Sequence, residues 1–215
     1  MLIQEAINLL SAQIINLGWV GLFGGVTQRV SVPQSTENGV IYKSIPVSCN
    51  AAYTDCIKNN RYKELIPDSG KRSVVYWEVT QGFSDNGEDN HKRRRKLEGQ
   101  ARLVGWINTN LLGINECNTA AKAIRSLMPI LYQRFDSTNS GALFENSSVE
   151  FEFISEEVKS SEIFGYDYGK NKDGFLLHPY DYFALNVKVT ARLALCQYVV
   201  NIQAPIECTD YSKLP

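Results

Sequence analysis

Histidine is scarce in this 215-residue chain, with His91 and His178 its only examples. Two imidazoles cannot complete a zinc set, because none of the five cysteines (Cys49, Cys56, Cys117, Cys196, Cys208) belongs to a CxxC pair. An odd number of widely spaced cysteines reads as free thiols acting as small apolar residues in a reducing compartment; a Cys49–Cys56 pair is the alternative outside the cell. Phosphate-binding signatures are missing too. The glycines at 18, 21, 24 and 25 do not form GxGxxG ahead of a helix, and after Gly70-Lys71 an arginine, Arg72, stands where Ser or Thr would bind magnesium. No GxSxG elbow occurs, and Asp167 and Asp173 miss the EF-hand order because Gly169 takes a ligand position. Charge of one sign is lacking as well: 22 Lys+Arg against 23 Asp+Glu leave a net charge of −1. Any nucleic-acid affinity must therefore come from a local patch. Long apolar runs are also lacking. MLIQEAINLLSAQIINLGWVGLF is interrupted by Gln4, Glu5, Asn8, Gln13 and Asn16 and has no basic n-region, so neither a signal peptide nor a membrane span is expected.

What is present is an ordinary globular composition, 44% hydrophobic and 21% charged, in a chain long enough for a real core. The pattern predicts a single domain over 1–198 and an extended tail over 199–215. A helix is expected over 2–17, with Ile3, Ile7, Leu10, Ile14 and Leu17 in one stripe, widened by Leu2, Ala6 and Leu9, and Gly18 as its C-cap. Strands are expected over 22–32, with a bulge or bend at Gly24-Gly25, and over 40–49, joined through the Asn38-Gly39 turn. A short helix is expected around Ala51–Ile57. The run TAAKAIRSLMPILYQRF (119–135), capped by Asn118 or Thr119, reads as a helix that Pro129 kinks or stops. Alternation then predicts strands at 149–158 and, most strongly, across Phe183–Leu195. Helix, strands, long hairpin, helix, strands describes an α+β domain: an antiparallel sheet with packed helices.

The sharpest polar feature lies in that hairpin, about 73–108. Two strand patterns flank SDNGEDNHKRRRK (84–96), which holds the acids Asp85, Glu88 and Asp89 followed by the cations Lys92, Arg93, Arg94, Arg95 and Lys96. Val75, Trp77, Val79 and Phe83 share one face of the first strand, with Tyr76, Glu78 and Thr80 on the other. Leu97, Ala101, Leu103 and Ile107 alternate with Glu98, Gln100 and Arg102 on the second. Eleven residues of strand span about 36 Å, so the sequence predicts an arm whose tip projects from the body. Three readings of the tip compete. It is a phosphate clamp, in which residues 92–96 make the chain a nucleic-acid-binding module. It is a solvated loop whose charges pair among themselves. Or it is a head-to-tail contact in which the acids of one subunit meet the cations of the next. The aromatics Tyr166, Tyr168, Tyr180 and Tyr182 suit a subunit interface better than base stacking. An enzyme would have to rely on Glu150, Glu152 or His178, and no catalytic constellation is expected; nor is a cofactor or a metal.

Several phrases in order, the amphipathic first helix, IPVSCNAA, PDSGKRSVVYWE, RLVGWIN and HPYDYFALNVKVTARL, resemble neck and tail proteins of tailed bacteriophages. The likeness is nearest to ring and tail-terminator-like proteins of phages infecting Bacteroidetes, including the crAss-like group, and covers most of residues 2–195. It implies an α+β fold carrying a long hairpin or loop, and a non-enzymatic virion protein. Such a protein forms a homo-oligomeric ring beside portal, connector or tail proteins, is assembled in the bacterial host cytoplasm, and lets DNA pass through its lumen. It suggests that the charged hairpin faces a neighbouring ring or the lumen, and it transfers no catalytic residue.

Overall fold

The computed structural model describes residues 2–36, 39–48, 63–65, 67, 69–88, 94–113, 119–136, 148–157, 163 and 177–194. The chain is mixed α+β, mostly strand, with two helices among the described residues. Helix α1 (Leu2–Ile14) forms where apolar residues recur every three or four positions, and Ile3, Ala6, Ile7, Leu10 and Ile14 are all buried. It ends short of Gly18. Past Ile14 the chain tightens into i→i−3 bonds, Asn16 N–H to Gln13 O and Leu17 N–H to Ile14 O. Gly18 does not take the left-handed conformation of a C-cap.

The stretch expected as one strand over 22–32 is two. β1 (Leu22–Val26) lies parallel to a strand of the main sheet, whereas β2 (Gln28–Thr36) leaves for a second sheet with β3 (Gly39–Ser48) and β4 (Lys63–Glu64). Gly25, at φ 64°, bends the chain inside β1, where the register with β5 shifts between Phe23 and Val26, in a conformation costly to any residue with a Cβ. Gly24 leaves room for Leu65, whose Cδ1 would lie 2.4 Å from an added Cβ. β2 and β3 pair from Gln28 opposite Val47 to Thr36 opposite Gly39, so the expected hairpin is present; Asn38 is outside the described residues. So are the expected helix around Ala51–Ile57, all five cysteines and the C-terminal tail.

Among the described residues the main sheet has six strands in the order β1-β5-β6-β9-β8-β7, where β5 is Ser73–Glu88, β6 Arg94–Asn108, β7 Arg134–Asp136, β8 Ser148–Glu157 and β9 Tyr180–Ala194. Every pairing but β1–β5 is antiparallel. Helix α2 (Thr119–Leu131) continues through Pro129 without a break, because Ile130 and Leu131 are drawn into the core. It stops there, and Phe135, expected in the helix, belongs to β7. Its first turn is capped from β9: the Ala120 N–H donates to Asp181 Oδ2 at 2.7 Å, a carboxylate placed where the helix dipole favours one. Both helices pack on one face of the sheet, over Val75, Trp77, Leu97, Ala101, Leu103 and Ile107. A reciprocal Gln13–Gln133 amide pair and the Trp19 Nε1–H bond to Ser126 Oγ (3.0 Å) tie them together.

The other sheet face is not polar throughout, as alternation alone predicts. At the base of the hairpin Val74, Tyr76, Val104 and Trp106 are buried with Leu65, Ile163 and Ala184 in a second cluster. Nor is the hairpin a two-stranded arm standing clear of the body. β9 accompanies β6 over its whole length, from Arg94 opposite Ala194 to Asn108 opposite Tyr180. β8 flanks β9 as far as Ser148 opposite Arg192. The residues between the hairpin strands, 89–93, lie outside the described residues.

Backbone contact at Gly105 gives a test of this packing. A Cβ there would fall 2.2 Å from the Phe183 ring, whereas one at Gly18 meets nothing within 4 Å. Gly105→Ala should destabilise the protein by about 1–3 kcal/mol or more, and Gly18→Ala should stay within about 0.5 kcal/mol, as urea unfolding would measure.

Candidate functional site

Above the second cluster the open sheet face becomes a polar field. Alternation sends the even-numbered residues of β6 to that side, and double pairing brings matching residues of β5 and β9 beside them. Glu78 stands opposite Arg102, Gln100 opposite Lys188, and Lys96 opposite Arg192. Arg102 donates from Nε (2.8 Å) and Nη2 to Glu78 Oε2, in a pair whose side chains are only 14% and 8% exposed. Arg192 Nη1 meets Glu150 Oε2 at 2.8 Å. Between these pairs Glu98 Oε1 receives Lys96 Nζ at 2.7 Å and Lys188 Nζ at 2.8 Å, and Asn86 Nδ2 donates to its other oxygen. The ammonium groups of Lys188 and Lys96 hold the Glu98 carboxyl down from 4.5 to about 2. Beside it Gln81, Ser84, Asn86 and Gln100 line a depression of about 240 Å3.

The hairpin charges divide between the two faces. Arg95, one position from Lys96 and so on the helix side, forms an ion pair with Asp85 of its own hairpin. Lys96 is held by Glu98. Arg94 is half-buried and Glu88 exposed, opposite Arg95 in register. Asp89, Lys92 and Arg93 lie outside the described residues, as do Tyr166 and Tyr168. Tyr180 stacks on Trp106 with ring centroids 5.0 Å apart, and Tyr182 packs on the same cluster, so both have work inside the chain. Glu150 and Glu152 do not converge as a catalytic pair, since Arg192 holds the first and the second is exposed. His178 is exposed in the bend before β9; the carbonyl that anchors this bend is that of Pro179, which accepts from Thr109 N–H (2.9 Å) and Oγ1–H (2.7 Å).

The Glu98–Lys188 centre escapes sequence reading. Alternation marks both residues as facing away from the helices, but nothing local says that β6 and β9 are neighbours. Chemically the field offers amides, hydroxyls and charges that largely cancel. No group of three or more His, Cys, Asp or Glu side chains converges among the described residues.

A carboxyl whose pKa is depressed on folding contributes stability that is full above its unfolded value and lost as pH falls through the folded one. The stability advantage of wild type over Glu98→Gln should therefore be constant above pH 4.5 and shrink towards pH 2. Urea unfolding of both proteins across that range checks it.

Comparison with protein-family models and with curated proteins finds no match for this chain, so the site stands on its geometry.

Proposed function

We propose that this chain is a non-enzymatic structural subunit that closes into a ring in the neck or tail of a tailed bacteriophage, joining head to tail or terminating the tail. Its virion neighbours are portal, connector or tail proteins, and DNA passes through the lumen without sequence-specific binding. The observation that carries the reading is the layout of the main sheet. β5 runs on past Trp77, where β1 ends, and β8 runs on past Glu150, where β7 ends. Among the described residues these two uncovered strand segments flank opposite sides of one sheet. A subunit with two different uncovered sides associates head to tail, and such contacts close into a ring when the rotation permits. The tail-terminator-like phrases of the sequence support the same reading. No helix among the described residues is long and apolar enough to cross a membrane.

The rival reading, a phosphate clamp at residues 92–96, is weakened because Arg95 and Lys96 are already engaged by Asp85 and Glu98. Counterion release needs cations that are not already matched.

Electron micrographs and mass photometry of the purified chain should show rings of one size. A protein that stays monomeric at every concentration would remove the ring reading. Because Arg94, Arg95 and Lys96 pair with β9 and Glu88 stands opposite Arg95, the variant confined to the segment between the hairpin strands replaces residues 89–93 with a Gly/Ser linker of the same length. It should leave the far-UV spectrum and melting temperature close to wild type while particles carrying it fail to join heads to tails.

A further inference from the structure

Most of the charged side chains on the main sheet find a partner within the chain, and the exceptions fall into two places. Glu152 and Glu156 are exposed on β8 and enter no ion pair among the described residues; at the other place neither do Arg94, at the start of β6, and Glu88, at the end of β5. The charges of these two places cannot meet inside one chain. Arg94 lies six residues from Gln100, which aligns through Lys188 with Glu152, so about 20 Å along the strands separates them, with one strand between β6 and β8.

Between the two glutamates the strand carries apolar surface. The β8–β9 register slips between Phe153 and Ser155, and Ile154, at the slip, is 47% exposed. Tyr132, 59% exposed, sets its ring edge-on to Phe153 at 6.4 Å. An aromatic and aliphatic centre rimmed by charge is the anatomy of a protein contact. The other uncovered segment, on β5, is less suited to receive a partner's strand. Its register slips three times between Val79 and Glu88, and bulges of this kind bend an edge away from pairing.

We propose that the outer side of β8 between Glu152 and Glu156 receives a second copy of this chain, which presents the cationic start of its β6 at Arg94. The inference rests on the ring reading and names its contact. Opposite charges set the orientation, and Tyr132, Phe153 and Ile154 supply the buried centre. The contact is heterologous: each subunit gives Arg94 to one neighbour and β8 to the other.

Charge reversal in the full chain, read by mass photometry, tests it. Glu152→Lys with Glu156→Lys should weaken assembly at least tenfold, and Arg94→Glu should do the same. Combining all three in one chain should recover much of the loss, which a misfolded variant would not do. Reversed variants that assemble like wild type, or a combined variant no better than its parents, would overturn the contact while leaving the ring. A wild-type chain that never assembles would remove both.

Discussion

Because β6 carries a partner along each edge for most of its length, its two-residue alternation is imposed on β5 and β9 together. Leu97, Ala101, Leu103 and Ile107 face the helices, and Lys96, Glu98, Gln100 and Arg102 face away. A slip of one residue would drive Glu98 and Arg102 under α1, where neither water nor an opposite charge awaits them. Two glycines on the helix side make the close approach possible. A Cβ at Gly99 would lie 2.7 Å from Ile3 Cδ1, and the Phe183 ring covers Gly105. Helix α1 comes close where Gly99 leaves β6 bare, and Gly105 makes room for the Phe183 ring of β9.

The opposite face follows from the same constraint. Pairing on both sides sets a cation from one strand beside a carboxylate from another, as with Lys188 of β9 and Glu98 of β6. Arg102 and Glu78 are nearly buried, and removing one member of such a pair leaves an uncompensated charge at a cost of several kcal/mol. The face is therefore polar without being strongly charged. On the ring reading, DNA beside it would find hydrogen-bonding groups and little to hold its phosphates, which suits passage better than capture.

Sequence reading succeeds here wherever the signal is local. The stripe of α1, the β2–β3 hairpin and the alternation of β5, β6 and β9 are periodicities that a few consecutive residues display. It fails where the answer is non-local. The break between β1 and β2 is invisible because both halves are equally strand-prone, and only the parallel partner on β5 separates them. Pro129 stays inside its helix because of what Ile130 and Leu131 bury, and Asp181 caps α2 from a strand far along the chain. The projecting arm is misjudged for the same reason: two strands were legible as a hairpin, but the third and fourth beside them were not. Of the candidate site, Asp85 and the cations of β6 were legible as a charge run, whereas Glu98 between Lys96 and Lys188 required the register.

The upper half of β5 shows what replaces apolar packing when an edge is bulged. After each slip polar groups re-anchor the strand: Ser84 Oγ–H donates to Glu98 O at 3.1 Å, Asn86 reaches the Glu98 carboxylate, the Gly87 N–H bonds Asp85 Oδ1 at 2.8 Å, and Arg95 holds Asp85. Exposed pairs of this kind each contribute about 1 kcal/mol or less and weaken with salt. The base of the same strand is buried from Ser73 to Glu78. Local stability must therefore fall along β5 from its buried base to Glu88. Among the described residues the charge run serves as internal fastening, through Arg95 on Asp85 and Lys96 on Glu98.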